Sequence, residues 1–158
     1  MNFYIEQRLF SWVDRFSIYS ADGTPVYYAE GEVFTFGKKL HLYDMRGNEV
    51  AFIEQRLFSF RPKYYIYRPG WAETAEVVKE FAFFRQEYSV RPMGWRVRGN
   101  IWAHDYEVWN GGLPVATVQK DWFRWGDAFE IRIGAGADPI LALAVVLVID
   151  ACMDAEGR

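Results

Sequence analysis

The chain has 158 residues, a net charge of -3 and a hydrophobic fraction of 51%, and it contains 7 Trp, 10 Tyr and 13 Phe. This length and composition predict one domain, residues 1–158, with a well-buried core, and they exclude a disordered chain. The acidic balance argues against nucleic acid as a general partner, because binding phosphates requires a basic surface. Cys152 is the only cysteine and no signal-like apolar segment is visible. We therefore expect a cytoplasmic protein without intrachain disulfides.

A fifteen-residue pattern occurs four times in the sequence. The copies at residues 5–19 and 53–67 share the identical segment IEQRLFS, and the copies at 77–91 and 118–132 follow the same template more loosely. All copies have an aromatic residue at the eighth and twelfth places and an aliphatic residue at the fourteenth. These residues are Trp12, Phe60, Phe84 and Trp125; Phe16, Tyr64, Tyr88 and Phe129; and Ile18, Ile66, Val90 and Ile131. Such a pattern indicates one supersecondary unit that is used repeatedly.

Each copy is predicted to be a β-hairpin. Two short segments with period-two alternation of apolar and polar residues flank a turn, which in the first copy is expected near Val13 and Asp14. Further turn signals at residues 21–23, 46–48 and 110–112 separate the runs between the copies. The spacing predicts about twelve strands between residues 3 and 133, which is typical of an antiparallel barrel or sandwich.

The C-terminal segment is predicted to be a buried helix. Asp138 followed by Pro139 is typical of an N-cap and a first helical position, and residues 140–149 are all apolar. A helix over about residues 138–153 would span about 22 Å, against roughly 30 Å of bilayer hydrocarbon, so no transmembrane span is expected. A helix that is apolar on every side belongs in a protein interior. The sequence therefore predicts a mainly β fold, a closed antiparallel barrel of about twelve strands that encloses one hydrophobic C-terminal α-helix.

Four segments of the sequence resemble the LURP-one-related family. They are residues 37–50, 53–67, 118–127 and 139–151. Together with the repeats, these segments cover nearly the whole chain. The family shares its fold with the C-terminal domain of tubby proteins and with phospholipid scramblases, so the resemblance implies a barrel around a central C-terminal helix. It also implies phospholipid or phosphoinositide headgroups as ligands, because tubby domains bind phosphoinositides and scramblases act at lipid bilayers. No tubby lipid-binding motif aligns with this sequence, and no family binding residue is transferred.

Two basic clusters are the candidate contacts for a lipid headgroup. Lys38 and Lys39 lie at a predicted turn, and Arg96 and Arg98 share one face of a predicted strand near Arg91. Such side chains bind anionic headgroups through charge-assisted hydrogen bonds, whereas the alternative is ordinary solvated surface charge. The expected protein associates peripherally with membranes, and its partner is an anionic phospholipid or another protein.

The sequence carries no signature of a catalytic, metal or cofactor site. His41 is expected to face outward, and His104 and Asp105 are expected to point to opposite faces of one strand. Cys152 is expected to be a buried, inert thiol. The glycines at residues 134–136 fit a tight entry from strand to helix better than a dinucleotide-binding motif, because too little chain follows them for a βαβ unit. We therefore predict a non-enzymatic protein without a cofactor, and an unrecognised enzyme is the less favoured alternative.

Three features have two interpretations at this stage. The third place of every repeat is polar, which indicates either solvated strand ends or a ligand-accepting ring at the barrel mouth; the residues are Gln7, Gln55, Lys79 and Lys120. Asp150 interrupts the apolar helix and is either solvated or buried beside a polar partner, since an isolated buried carboxylate is very costly. The alternative to lipid binding is a protein-interaction module that exposes tryptophans, for which the candidates are Trp95, Trp102 and Trp109.

Overall fold

A computed structural model of the protein describes residues 1–6, 15–32, 35–82, 85–121 and 128–156. Within these ranges the chain forms twelve β-strands, a short 3-10 helix and a C-terminal α-helix. The strands are β1 (Asn2–Glu6), β2 (Arg15–Tyr19), β3 (Pro25–Gly31), β4 (Lys39–Asp44), β5 (Glu49–Gln55), β6 (Lys63–Tyr67), β7 (Ala75–Glu80), β8 (Glu87–Arg91), β9 (Trp95–Asn100), β10 (Asp105–Asn110), β11 (Leu113–Asp121) and β12 (Ala128–Ile133). The 3-10 helix is Ile101–Ala103, and α1 is Pro139–Ala155.

The strands form a closed antiparallel barrel in which each strand pairs with its neighbours in sequence and β1 pairs with β12. In the closing pair, Phe3 lies opposite Ile131 and Ile5 lies opposite Phe129. A closed sheet leaves no unpaired edge strand. The predicted closed barrel is thus confirmed.

The barrel has two ends with different connections, because consecutive strands run in opposite directions. The connections after the odd-numbered strands lie at one end, which we term the loop end. Its described residues are 32, 35–38, 56–62, 81–82, 85–86 and 101–104. The connections after the even-numbered strands lie at the opposite end, which we term the turn end. Its residues are 20–24, 45–48, 68–74, 92–94, 111–112 and 134–138.

Each sequence repeat forms one hairpin whose connection lies at the loop end. The four hairpins are β1–β2, β5–β6, β7–β8 and β11–β12. The side chains at the twelfth and fourteenth places of the repeat are all buried inside the barrel, as the alternation predicts. The turn expected at Val13 and Asp14 and the eighth-place aromatics Trp12, Phe84 and Trp125 lie outside the described residues.

The helix α1 begins at the turn end and fills the barrel. The Asp138 carboxylate accepts hydrogen bonds from the backbone N–H groups of Ile140 at 3.0 Å and Leu141 at 3.3 Å, so the predicted N-cap is confirmed. Every side chain from 140 to 153 is buried. The barrel thus gives the helix the apolar surroundings that it requires.

Glycine shapes the entry into α1. Gly136 adopts a φ of +83°, and a Cβ atom on Gly134 would lie 3.2 Å from the Pro114 carbonyl oxygen. A side chain at either position would therefore strain the backbone or crowd it. This agrees with the structural role expected for residues 134–136.

Candidate functional site

Lys38 and Lys39 lie at the start of β4, at the loop end. The Lys38 ammonium donates a hydrogen bond to the Ala151 carbonyl oxygen at 3.3 Å and lies 3.7 Å from the Asp154 carboxylate. A cation in this position stabilises the negative end of the helix dipole. Lys39 lies 3.9 Å from Glu54 on the neighbouring strand. Lys38 therefore holds the end of α1, and Lys39 carries a loose surface ion pair.

Arg96 and Arg98 lie together on the outer face of β9, as the alternation predicts. Arg98 Nε donates to Glu87 Oε1 at 3.0 Å, and the Arg96 guanidinium donates to Ser89 Oγ at 3.2 Å. Beside them is an open pocket of about 400 Å³, which is lined by Gly94, Arg96, Arg98, Trp109, Gly111 and Gly112. Glycines at its edge leave the backbone open to a ligand, since they carry no side chain.

The structure does not bring the two predicted basic clusters together. In the barrel order, strands β5 to β8 lie between β4 and β9 on one side. Strands β10 to β12 and β1 to β3 lie between them on the other side. A single headgroup therefore cannot contact Lys38 or Lys39 and the pair Arg96 and Arg98 at the same time.

Three further arginines extend the surface around Arg96 and Arg98. Arg61 binds the Glu80 carboxylate, and Arg91 lies 3.6 Å from the same group. Arg85 lies 3.7 Å from Glu87, the carboxylate that also accepts from Arg98. We term this set the arginine face; it consists of Arg61, Arg85, Arg91, Arg96 and Arg98.

Positive charge exceeds negative charge on this face. Among the described residues, four of its five guanidinium groups share two carboxylates, those of Glu80 and Glu87, while Arg96 donates to Ser89. Glu80 also accepts a hydrogen bond from Ser89 Oγ at 2.5 Å, and the nearby Glu76 is paired with Lys63 at 2.8 Å. The side chains of Arg85 and Arg98 are 63% and 57% exposed, so both can contact a ligand in solution.

Arg61 and Arg85 were not among the residues that the sequence analysis selected. Arg61 precedes β6, and the pairing of β6 with β7 brings it beside Glu80, whereas Arg85 precedes β8 and lies two residues before Glu87. Alternation along one strand identified Arg96 and Arg98, but it contains no information about neighbours across the sheet.

His41 faces outward on β4, as predicted. Its Nε2 lies 2.9 Å from Glu32 and its Nδ1 lies 2.5 Å from Glu49. Partial burial lowers the pKa of His41, but the hydrogen bonds and charges of Glu49 and Glu32 together outweigh this effect and raise the pKa above its usual value. Both ring nitrogens are thus engaged with carboxylates, an arrangement that favours the protonated imidazolium.

The structure corrects the strand predicted at His104 and decides between the two interpretations of Asp150. His104 does not lie on a strand; it follows the 3-10 helix with a φ of +51° and is buried. Asp150 is buried rather than solvated, and its Oδ1 lies 3.6 Å from His104 Nε2. The imidazole also stacks on Phe129 with ring centroids 4.6 Å apart. The 3-10 helix places His104 inside the barrel, whereas Asp105, the first residue of β10, is exposed, so the two side chains do point in opposite directions although His104 is not part of the strand.

Cys152 is buried on α1 near the loop end. Burial raises the pKa of its thiol to about 11, although Lys79, a hydrogen bond with Tyr88 and Lys38 all act in the opposite direction. The thiolate is the reactive form of cysteine, so a protonated thiol is a poor nucleophile at neutral pH. The environment is that of an inert side chain.

The described third-place residues of the repeats surround the C-terminal end of α1. Lys79 pairs with Glu156 near the end of the helix, and Gln55 Oε1 accepts a hydrogen bond from the Lys38 backbone N–H at 3.0 Å. Lys120 lies opposite Phe129 in the β11–β12 pair. Gln7 lies outside the described residues. Gln55 and Lys79 therefore contribute to holding the helix end in place.

The three tryptophans proposed as interaction residues differ in position. Trp95 is buried, which removes it as a surface contact. Trp102 is 47% exposed at the loop end. The Trp109 indole donates a hydrogen bond to Glu107 at 2.9 Å on the outer wall and borders the pocket beside Arg96.

Within the part of the chain that the structure describes, no group of three or more His, Cys, Asp or Glu side chains is arranged to hold a metal ion. In the same residues, no helix is long and apolar enough to cross a membrane.

These features define a class of protein: an antiparallel barrel of twelve described strands, closed around a buried C-terminal helix, with a basic outer wall on β7 to β9. The chain belongs to the LURP-one-related family, whose model matches residues 1–150. This confirms the resemblance that the sequence segments indicated.

Two known proteins are similar to this chain. The uncharacterized protein YxjI of Bacillus subtilis (strain 168) is 29% identical over 54 residues, which cover 34% of this chain and 33% of that protein. The match thus spans about a third of the length of that relative. The X-ray structure of the Arabidopsis thaliana protein AT5G01750 has a TM-score of 0.71 and 16% sequence identity, with 96% of this chain and 90% of that chain covered. At this identity the likeness shows the fold alone.

Proposed function

We propose that this protein is a non-enzymatic, cytoplasmic binding protein that attaches peripherally to membranes containing anionic phospholipids or phosphoinositides. The observation that carries the proposal is the arginine face, on which four of five guanidinium groups share two carboxylates among the described residues. Basic residues close to an anionic membrane each contribute about 1 kcal/mol to binding. A cytoplasmic location would place the face against the negatively charged leaflet.

Arg96 and Arg98 are the proposed headgroup contacts. Guanidinium groups bind phosphate in a bidentate geometry, which fixes orientation as well as charge. The pocket of about 400 Å³ beside them falls in the range of small-ligand sites, roughly 300–1,000 Å³. Trp109 borders the pocket and offers an apolar surface to a sugar ring.

Lys38 and Lys39 are a second proposed contact on another part of the barrel. Lys39 is the better candidate of the two, because the Lys38 ammonium already binds the Ala151 carbonyl and Asp154. A headgroup at Lys38 would have to compete with the end of α1.

Liposome flotation tests the proposal. We expect the protein to float with phosphatidylcholine vesicles that contain phosphatidylserine or phosphatidylinositol 4,5-bisphosphate, and to remain unbound with phosphatidylcholine alone. The Arg96→Glu/Arg98→Glu variant should bind the anionic vesicles at least about thirtyfold more weakly, because two attractive charges of about 1 kcal/mol each are lost and two repulsive charges are added. The matched control is Arg46→Glu/Arg132→Glu, which changes the net charge equally elsewhere on the surface.

Two results would contradict the proposal. Equal loss of binding in both double variants would indicate an effect of net charge rather than of the arginine face. Unchanged binding of the Arg96→Glu/Arg98→Glu variant would exclude these residues, and the Lys38→Glu/Lys39→Glu variant would then test the second contact. The alternative function, a protein-interaction module that uses Trp102, predicts no flotation and capture of a protein partner that a Trp102→Ala variant loses.

A further inference from the structure

The loop end exposes five aromatic side chains among its described residues. We term them the aromatic rim; they are Phe36, Phe58, Phe60, Phe81 and Trp102. Their exposed fractions run from 47% for Trp102 to 104% for Phe58. They stand on four different connections of the barrel, after β3, β5, β7 and β9. Large apolar side chains grouped at one end of a protein commonly mark an interaction site.

The exposed position of the aromatic rim is not a consequence of packing in the barrel core. Phe58 adopts a φ of +58°, a conformation that is strained for a bulky residue. The backbone is thus held in an unfavourable conformation at a phenylalanine whose ring contributes nothing to the interior. Phe60 and Phe81 pack edge to face with ring centroids 5.6 Å apart, while the two side chains stay 92% and 72% exposed. Backbone strain of this kind is typical of functional segments.

Cations lie on the same connections as the aromatic side chains. Arg56 and Arg61 belong to the same connection as Phe58 and Phe60, and Arg85 belongs to the connection that contains Phe81. The acidic groups at the nearby end of α1 have cationic partners, because Asp154 lies 3.7 Å from Lys38 and Glu156 pairs with Lys79. The loop end thus presents aromatic tips followed by a layer of available positive charge.

This order of groups matches the interface of an anionic bilayer. Phenylalanine and tryptophan are typical of the apolar side of segments that lie at the boundary between hydrocarbon and headgroups, and basic residues such as arginine bind the anionic headgroups next to that boundary. The aromatic residues protrude as exposed tips from four connections, with Phe60 against Phe81, and they border open pockets of about 420 and 500 Å³ rather than forming one flat patch. Protruding tips suit insertion into a fluid bilayer, whereas a protein partner requires a complementary packed surface.

We infer that the loop end is the membrane-inserting end of the barrel, with Phe58, Phe60 and Phe81 entering the interfacial region of an anionic phospholipid bilayer. The inference rests on the proposed function and adds the depth and orientation of binding. Arg61 and Arg85 belong both to the arginine face and to the layer behind the aromatic rim, so they lie at the level of the phosphates. The barrel is tilted so that the arginine face on β8 and β9 also contacts the headgroups, and the turn after β4, which contains Met45, faces away from the membrane.

A fluorescent probe at each end of the barrel tests the orientation. Phe58→Cys and, as a matched control, Met45→Cys in the exposed turn after β4 are labelled with the environment-sensitive dye NBD under native conditions. The buried Cys152 with its raised thiol pKa should remain unlabelled. On adding vesicles of equimolar phosphatidylcholine and phosphatidylserine, we expect brighter, blue-shifted emission at position 58, quenched by brominated lipid, and no change at position 45.

A second measurement separates insertion from headgroup binding. The Phe58→Ser/Phe60→Ser/Phe81→Ser variant should bind these vesicles about tenfold or more weakly, because apolar area no longer leaves water. The Met45→Ser/Leu113→Ser control, which removes exposed apolar residues from the turn end, should bind as the wild type does. Since the altered side chains are exposed, thermal unfolding should show all variants folded.

Three results would overturn the inference. Flotation of the wild type without a spectral change at position 58 would remove insertion but leave headgroup binding intact. Absence of flotation of the wild type would remove both the proposed function and the inference. A spectral change at position 58 that depends on protein concentration and needs no vesicles would show that a second copy of the chain covers the aromatic rim.

Discussion

The two ends of the barrel join their strands through different kinds of connection. At the turn end, polar groups are satisfied within the turn itself: the Asp44 carboxylate accepts from the backbone N–H groups of Arg46 and Asn48, both at 2.9 Å. Gly47 has a φ of +85°, which a glycine adopts without strain. At the loop end, a phenylalanine occupies a left-handed conformation and aromatic side chains face water. The connections at the turn end are therefore stable. The loop end has a strained backbone and exposed apolar side chains, which favour contact with a ligand or partner.

The same contrast applies to the two ends of α1. Its N-terminus is capped by Asp138, the residue directly before the helix. Its C-terminus is held by residues far away in sequence, such as Lys38 on Ala151 and Lys79 on Glu156. The N-terminal end is thus capped by a local residue, to which Arg68 adds a distant contact, whereas the side chains that hold the C-terminal end all come from distant strands.

The largest expected effect concerns the buried pair beneath the loop end. His104→Asn keeps a residue that tolerates the left-handed conformation but removes the imidazole beside Asp150 and Phe129. We expect a loss of about 3 kcal/mol in the free energy of unfolding, because the buried carboxylate loses its facing partner. Urea denaturation measures this loss in the free energy of unfolding. Adding Asp150→Asn should recover part of the loss, and a further loss in the double variant would contradict this assignment.

A smaller effect is expected at the helix N-terminus. Asp138→Ala removes two hydrogen bonds to the backbone and the contact with Arg68, so the free energy of unfolding should fall by about 2 kcal/mol. The matched change at the other end, Lys38→Met, should cost about 1 kcal/mol, because it removes one hydrogen bond and a partly exposed ion pair. Thermal or urea unfolding compares the two. A reversed order would show that the loop end, rather than the turn end, anchors the helix.

The smallest effect has the opposite sign. Phe58→Asn should stabilise the protein by about 0.5 kcal/mol, because asparagine tolerates a positive φ better than phenylalanine does. The control Gly47→Ala at the turn end should cost about 1 kcal/mol, since a Cβ is introduced at positive φ. Calorimetry on both variants should show a gain in stability for Phe58→Asn. Flotation should show that the same variant loses membrane binding. Equal destabilisation by both changes would mean that Phe58 contributes to folding.

Local patterns predicted the parts of the structure that depend on neighbouring residues. The inward position of Tyr64 and Ile66 follows from the alternation of side chains along a strand, and the start of α1 follows from the capping geometry of Asp138. Arg96 and Arg98 were placed correctly on one face for the same reason. The inertness expected of Cys152 followed from the apolar run around it.

Other features required the assembled barrel. The inward turn at His104 comes from a 3-10 helix that alternation does not anticipate, and the burial of Asp150 follows from enclosure of the helix end. The sequence also could not show that Lys38 binds the helix end while Arg98 lies on a distant wall. Both facts depend on strand order around the ring.

The sequence by itself determined the hairpin repeats, the number of strands and the buried helix, because each depends on period, capping or composition over a short stretch of chain. The tertiary structure alone decided which arginines share a surface and that five exposed aromatic residues gather at the loop end, while Trp71 is exposed at the turn end. These properties depend on pairing between strands and on closure of the sheet, which place residues from different hairpins side by side.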